Sequence, residues 1–149
     1  MTTTLLNARD EMLELFRAAW LGSLESASVL VIYPDTLADV PKGNDSDRNP
    51  IPWARVSVNH YTGAQASLSG DTGRRRWRRT GDVTVQIFTP FGTGLSLSDR
   101  LSMIALAAFE GQSTPSGVWF RGVRSTEIGQ DGSWFQANVI AEFTYDEVR

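Results

Sequence analysis

Cysteine is absent from this chain, which excludes disulfides, thiolate metal sites and cysteine nucleophiles, a profile that suits a reducing compartment. Histidine occurs once, as His60, and no nearby Ser/Asp motif gives it the partners that nucleophilic chemistry requires. His60, at the end of an alternating segment, is therefore read as a structural or surface residue. No stretch approaches the roughly 18 apolar residues that cross a bilayer. Met1 to Trp20 interrupts its leucines with Arg9, Asp10, Glu11, Glu14 and Arg17, unlike the unbroken apolar core of a signal peptide. The expectation is a soluble, unexported protein with no membrane partner. An excess of positive charge is missing too: the formal net charge is -3, so nucleic acid or an anionic surface would have to be met by a local patch.

What is there suffices for one core. With 149 residues, 41% hydrophobic and 21% charged, the chain fits a single domain over 1–149. Leu5, Leu6, Met12, Leu13, Phe16, Ala19 and Trp20 recur at helical spacing, with Thr4 or Asn7 as cap and Gly22 as stop. Val29 to Tyr33 is a short β-branched run closed by Pro34 and predicts a buried strand. The stretch 34–52, rich in proline and polar residues, predicts a long loop. Trp53 to Tyr61 and Gly81 to Phe88 alternate as strands, and 62–80 between them predicts a flexible, arginine-rich arm. Ser96-Leu97-Ser98-Asp99 offers caps for a second helix over Leu101 to Phe109. Val118 to Ile128 and Trp134 to Tyr145 flank Asp131-Gly132, a strong hairpin signal, with Phe135, Ala137, Val139, Ala141, Phe143 and Tyr145 on one face. Turns rather than helical crossovers join most strands. The fold expected is α+β, a largely antiparallel sheet of about five strands with two helices packed on one face.

No catalytic, metal-binding or cofactor-binding set emerges, and the chain is not expected to be an enzyme. Asp45 and Asp47 alternate as in a calcium loop, but the glycine and the distal glutamate are not at the required offsets. Gly92-Thr93-Gly94 lacks the rest of a phosphate-binding pattern and is explained by a turn before a helix. The feature that departs from this plain background is Arg74-Arg75-Arg76-Trp77-Arg78-Arg79. Extended, it places Arg74, Arg76 and Arg78 on one side and Arg75, Trp77 and Arg79 on the other. Three roles stand open: pairing with carboxylates of a neighbouring subunit, contacting phosphates while Trp77 stacks on a base, or serving as a solvated arm that protects a sheet edge. Trp53, Trp77, Trp119 and Trp134 sit at strand starts, in the arm or beside turns, where aromatics serve interfaces or cap a core; at least two are expected to cap the core. The interface candidates are Arg74 to Arg79 with Trp53 and Trp134.

Taken in order, Ile51-Pro52-Trp53-Ala54-Arg55-Val56, Arg79-Thr80-Gly81 with Val83 to Phe88, Pro90-Phe91-Gly92-Thr93-Gly94, Ala107-Ala108-Phe109, Gly117-Val118-Trp119-Phe120, Asp131 to Gln136 and Phe143 to Glu147 form a pattern that resembles the tail terminator proteins of long-tailed bacteriophages. The resemblance covers most of the chain from Pro50 onward and, more weakly, the first helix. It implies a structural virion protein, assembled in the host cytoplasm and placed at the head-proximal end of the tail. It also implies a homohexameric ring that docks on the tail tube protein, halts tube polymerisation and meets a head-tail connector protein, with transient proximity to DNA in the lumen. Other expectations of different scope are another head-tail joining or minor tail protein, and a nucleic-acid-binding module using Arg74 to Arg79.

Overall fold

Thr4 opens the first helix: its hydroxyl accepts the backbone N–H of Asn7 at 3.2 Å, and α1 (Leu5–Leu21) runs from there to Gly22. Its buried residues, Ala8, Met12, Phe16 and Trp20, recur every fourth position and form one stripe. The computed structural model describes residues 2–44, 49–68 and 70–149, so Asp45 and Asp47 of the loop lie outside the described residues. After α1 the chain makes one further turn of helix, α2 (Leu24–Ala27). Ser26 donates to the carbonyl of Trp20 at 2.5 Å and the Trp20 indole N–H donates to the carbonyl of Val29 at 3.2 Å, which locks that turn against the helix end. A third helix beyond the two expected is thus present, and β1 shortens to Leu30–Ile32.

β1 lies parallel to β2 (Trp53–Gln65), Leu30 beside Trp53. A parallel pair cannot be closed by a tight turn, which gives the long 34–52 connection its physical reason. β2 and β3 (Arg76–Pro90) pair antiparallel, from Trp53 opposite Phe88 to Gln65 opposite Trp77, with one bulge between His60 and Thr62. α3 (Ser96–Phe109) follows, and then the hairpin of β4 (Trp119–Asp131) and β5 (Trp134–Val148). Leu95 rather than a serine occupies the N-cap of α3, with no side-chain hydrogen bond there; Ser96, Ser98 and Asp99 lie inside its first turns. The sheet order is β1-β2-β3-β5-β4, mixed because of β1 and antiparallel elsewhere.

The main core lies between this sheet and the helices. Val56, Val58, Val83, Val85, Ile87, Val139, Ala141 and Phe143 form its floor, and Phe16 of α1 stacks with Phe109 of α3 at 6.3 Å between centroids above it. The alternating residues of β2, β3 and β5 face the other way, onto a helix-free surface, where Ile32, Trp53 and Phe88 form a second small apolar cluster with Trp134 against it. No helix among the described residues is long and apolar enough to cross a membrane.

Candidate functional site

The ladder continues through the segment expected to be a flexible arm. β2 extends to Gln65 and β3 begins at Arg76, so only 66–75 lies outside the paired strands. Gly63 and Ala64 have little intrinsic strand preference. What holds them is a hydroxyl contact between Thr62 and Thr80 and the pairing of Arg76 to Thr80 with Thr144 to Val148 of β5. The arginines alternate as an extended segment must. Arg76 and Arg78 both reach Asp146 on the helix-free face, at 3.8 and 3.1 Å. On the helix side, Arg79 pairs with Glu147 at 2.9 Å and its guanidinium stands 5.8 Å from the Trp77 ring centroid. Arg149 approaches Glu147 at 3.7 Å, and its backbone exchanges two hydrogen bonds with Arg75 at 2.8 and 3.1 Å.

Three of the arginines therefore already have carboxylate partners within their own chain. Arg74 and Arg75 do not: Arg75 gives its Nε to the carbonyl of Gly70 at 2.9 Å, and Arg74 has no side-chain bond among the described residues. The interface candidates also divide between two places. Trp53 and Trp134 stand at the opposite end of β3 from Arg76, where Trp53 stacks on Phe88 at 4.1 Å and meets Trp134 edge-on at 6.5 Å. With 4% exposure Trp53 is covered inside the chain by Phe88 and Trp134. Trp134 is half-buried against the same cluster. Trp119, by contrast, is exposed and carries Arg121 at 4.3 Å over its ring.

Sequence reasoning missed the acidic and aromatic half of this end of the sheet. Glu147, 9% exposed at its side chain, accepts the backbone N–H of Leu5 at 3.1 Å, and the N–H of Thr3 donates to the carbonyl of Asp146 at 2.9 Å. The last strand thus ties down the start of α1, and the carboxylate sits where the helix dipole favours it. A signal was present: continuing the alternation of Phe143 and Tyr145 puts Glu147 on the apolar face, and an acid there needs a partner. His60 belongs to the same region. Its Nε2 lies 2.8 Å from the Tyr145 hydroxyl, its ring meets Phe143 and Tyr145 edge-on, and its Nδ1 is buried without a partner.

Burial pushes the His60 pKa below its ordinary value, with Arg9 and Arg79 adding to that and Glu147 opposing it. An imidazolium would also have to bury a second N–H with nothing to receive it. Burial and the Glu147 charge push Tyr145 up to about 12. The unfolded chain binds the proton of His60 more readily than the folded one, so stability rises with pH through the window below the ordinary histidine value and is lost on acidification. For Tyr145 the sign reverses: its contribution is complete below about 10 and disappears as pH climbs through about 12. Thermal midpoints measured from pH 7.5 to 5 should fall, and fall less in a His60→Gln variant. An equal fall in both would remove His60 as the cause.

No protein-family model and no curated protein matches the chain. A solved protein structure with 16% sequence identity superposes with a TM-score of 0.55, covering 89% of this chain and 94% of its own. At that identity the likeness extends to the fold alone. Among the described residues no group of three or more His, Cys, Asp or Glu side chains is placed to hold a metal ion.

Proposed function

We propose that this protein is a structural virion subunit that closes into a ring at the end of a phage tail tube, stops tube growth and offers its outer face for head joining. The segments that carry the resemblance to tail terminators fall mainly in β2, β3, β4 and β5, the strands that build the sheet. The observation that supports the reading most directly is that the sheet has two long open edges on opposite sides. β1 covers β2 only from Trp53 to Arg55, and β4 is the outermost strand on the other side. Three successive antiparallel pairings make β4 run opposite to β2. Copies placed head to tail in one orientation therefore present β4 of one antiparallel to β2 of the next, a heterologous contact that closes as a ring. The bulges of β4 between Arg121 and Arg124 and between Glu127 and Gly129 leave Arg124 to Glu127 as its regular stretch. They restrict pairing to a specific partner, as edge strands require.

A cysteine-free chain makes the contact easy to test. Light scattering should give a six-fold mass at high protein concentration. With cysteines at Ser57 and Thr126, both on the helix-free face, oxidation should give a ladder of cross-linked species ending at the ring, while either single variant should give dimers at most. A monomer at every concentration with no ladder would remove the ring. In an infected host, loss of the protein should give overlong tails; normal-length, unattached tails would favour a head-side joining protein instead.

A further inference from the structure

We infer that the cleft between Thr72, Arg75, Trp77, Arg79 and Arg149 binds the phosphates of a single-stranded nucleic acid. The cleft has a volume of about 340 Å³ and opens on the helix side of the hairpin end. Three guanidinium groups and one hydroxyl line it, all able to donate, and among the described residues the only side-chain carboxylate that answers them is Glu147, already taken by Arg79, Arg149 and the N–H of Leu5. Donors are left over. The terminal amino groups of Arg75 have no partner among the described residues, since only its Nε is bonded. On a chain of net charge -3, this end carries Arg74, Arg75, Arg76, Arg78, Arg79 and Arg149 against Asp71, Asp146 and Glu147. The local sign is therefore opposite to the global one, and an anion is what this surface attracts.

The arrangement selects among anions. A planar carboxylate meets a guanidinium fork best in its own plane. Here one fork comes from β3 (Arg79), one from the residue just before it (Arg75) and a third from beyond the end of β5 (Arg149), so donors reach one volume from several directions, which suits the tetrahedral oxygens of a phosphate. Trp77 adds a flat, half-buried wall beside them. An unstacked base can lie on an indole while its phosphate is held by arginine, the pairing by which single strands are gripped without sequence reading. A duplex keeps its bases stacked inside and gives Trp77 nothing to hold. Arg74, next to Arg75 in the chain, is exposed and has no side-chain bond among the described residues. This inference is independent of the ring: the cleft lies within one chain and can be tested whatever the oligomeric state.

The experiment is fluorescence anisotropy of a labelled oligothymidylate of about 12 nucleotides, a length within the site sizes of single-strand binders, titrated with the full chain over a range of salt. Competitors are a duplex of equal length, thymidine monophosphate and a polyglutamate peptide. Arg75→Gln with Arg149→Gln should weaken binding about tenfold and lower the salt slope by about 1.4, the value for two phosphate contacts on a single strand. Arg17→Gln with Arg100→Gln removes the same charge elsewhere and should change affinity less than about twofold. Trp77→Leu should weaken binding with the slope unchanged. Circular dichroism checks that each variant is folded, and the Arg75/Arg149 pair is chosen because both side chains are exposed. The inference is overturned if the distant pair loses as much as the cleft pair, if duplex, mononucleotide or polyglutamate competes as well as the single strand, or if the wild-type chain shows no saturable binding at low salt.

Discussion

Replacing Glu147 by alanine is expected to lower the free energy of unfolding by about 3 kcal/mol, the cost of breaking a buried ion pair from one side. One carboxylate serves three groups here: Arg79 at 2.9 Å, Arg149 at 3.7 Å and the first backbone N–H of α1 at 3.1 Å. Its removal strands the Arg79 guanidinium, 22% exposed and with a buried Nε already unpaired, and leaves an orphan donor at the helix start. Glu147→Gln keeps an acceptor for Leu5 while losing the charge, so its loss should be about half as large. Replacing both partners by apolar residues of similar size, Arg79→Met with Glu147→Leu, should recover much of the deficit, because the penalty comes from the unpaired charge. Urea unfolding reads all three through the midpoint at constant slope. A Glu147→Ala loss under about 0.5 kcal/mol, the range of ordinary surface substitutions, would show that solvent already compensates Arg79.

Gly81→Ala should be comparably damaging for a steric reason. Gly81 lies opposite His60 in the β2–β3 ladder and opposite Phe143 in β5, just before the bulge. A Cβ there would overlap the carbonyl of Asn59 and stand 2.7 Å from the Phe143 ring. Backbone of a paired strand cannot move aside as a flexible side chain can, so overpacking of about 3 kcal/mol is expected, with loss of the ladder around the bulge. Gly92→Ala supplies the comparison. Nothing lies within 4 Å of its would-be Cβ, and only its φ of +89° is at stake, a strain of roughly 1 kcal/mol. Equal losses at the two positions would mean that the strand yields to the added Cβ and the crowding at Gly81 is relieved.

The helices and the last strand were legible because their periodicity is local. Ala8, Met12, Phe16 and Trp20 mark α1, and Ala137 to Tyr145 alternate as a strand with one buried face must. The parallel placement of β1 was not legible, since three residues carry no direction and their partner follows a long loop. The strand character of Arg76 to Thr80 escaped for a related reason. Like charges in a row, opposite Gly63 and Ala64, argue against a strand locally, whereas the groups that stabilise it, Asp146 and Glu147, lie 68 residues further along. The arginine cluster itself was plain in the sequence; what it touches depends on register, which a single strand does not reveal. Trp53 illustrates the same limit, because its cover, Phe88, arrives only through the β2–β3 pairing.

The position of β5 bears on how the protein folds. Last among the strands in sequence, it is not at an edge but inside the sheet between β3 and β4, and its Val139, Ala141 and Phe143 are part of the floor beneath the helices. Thr3 and Leu5 are anchored by its final residues, Asp146 and Glu147. In folding, then, the sheet beneath α1 and α3 is continuous only once β5 has inserted between β3 and β4, and the pairing of β3 with β5 joins segments far apart in sequence, the kind of contact that is slow to close.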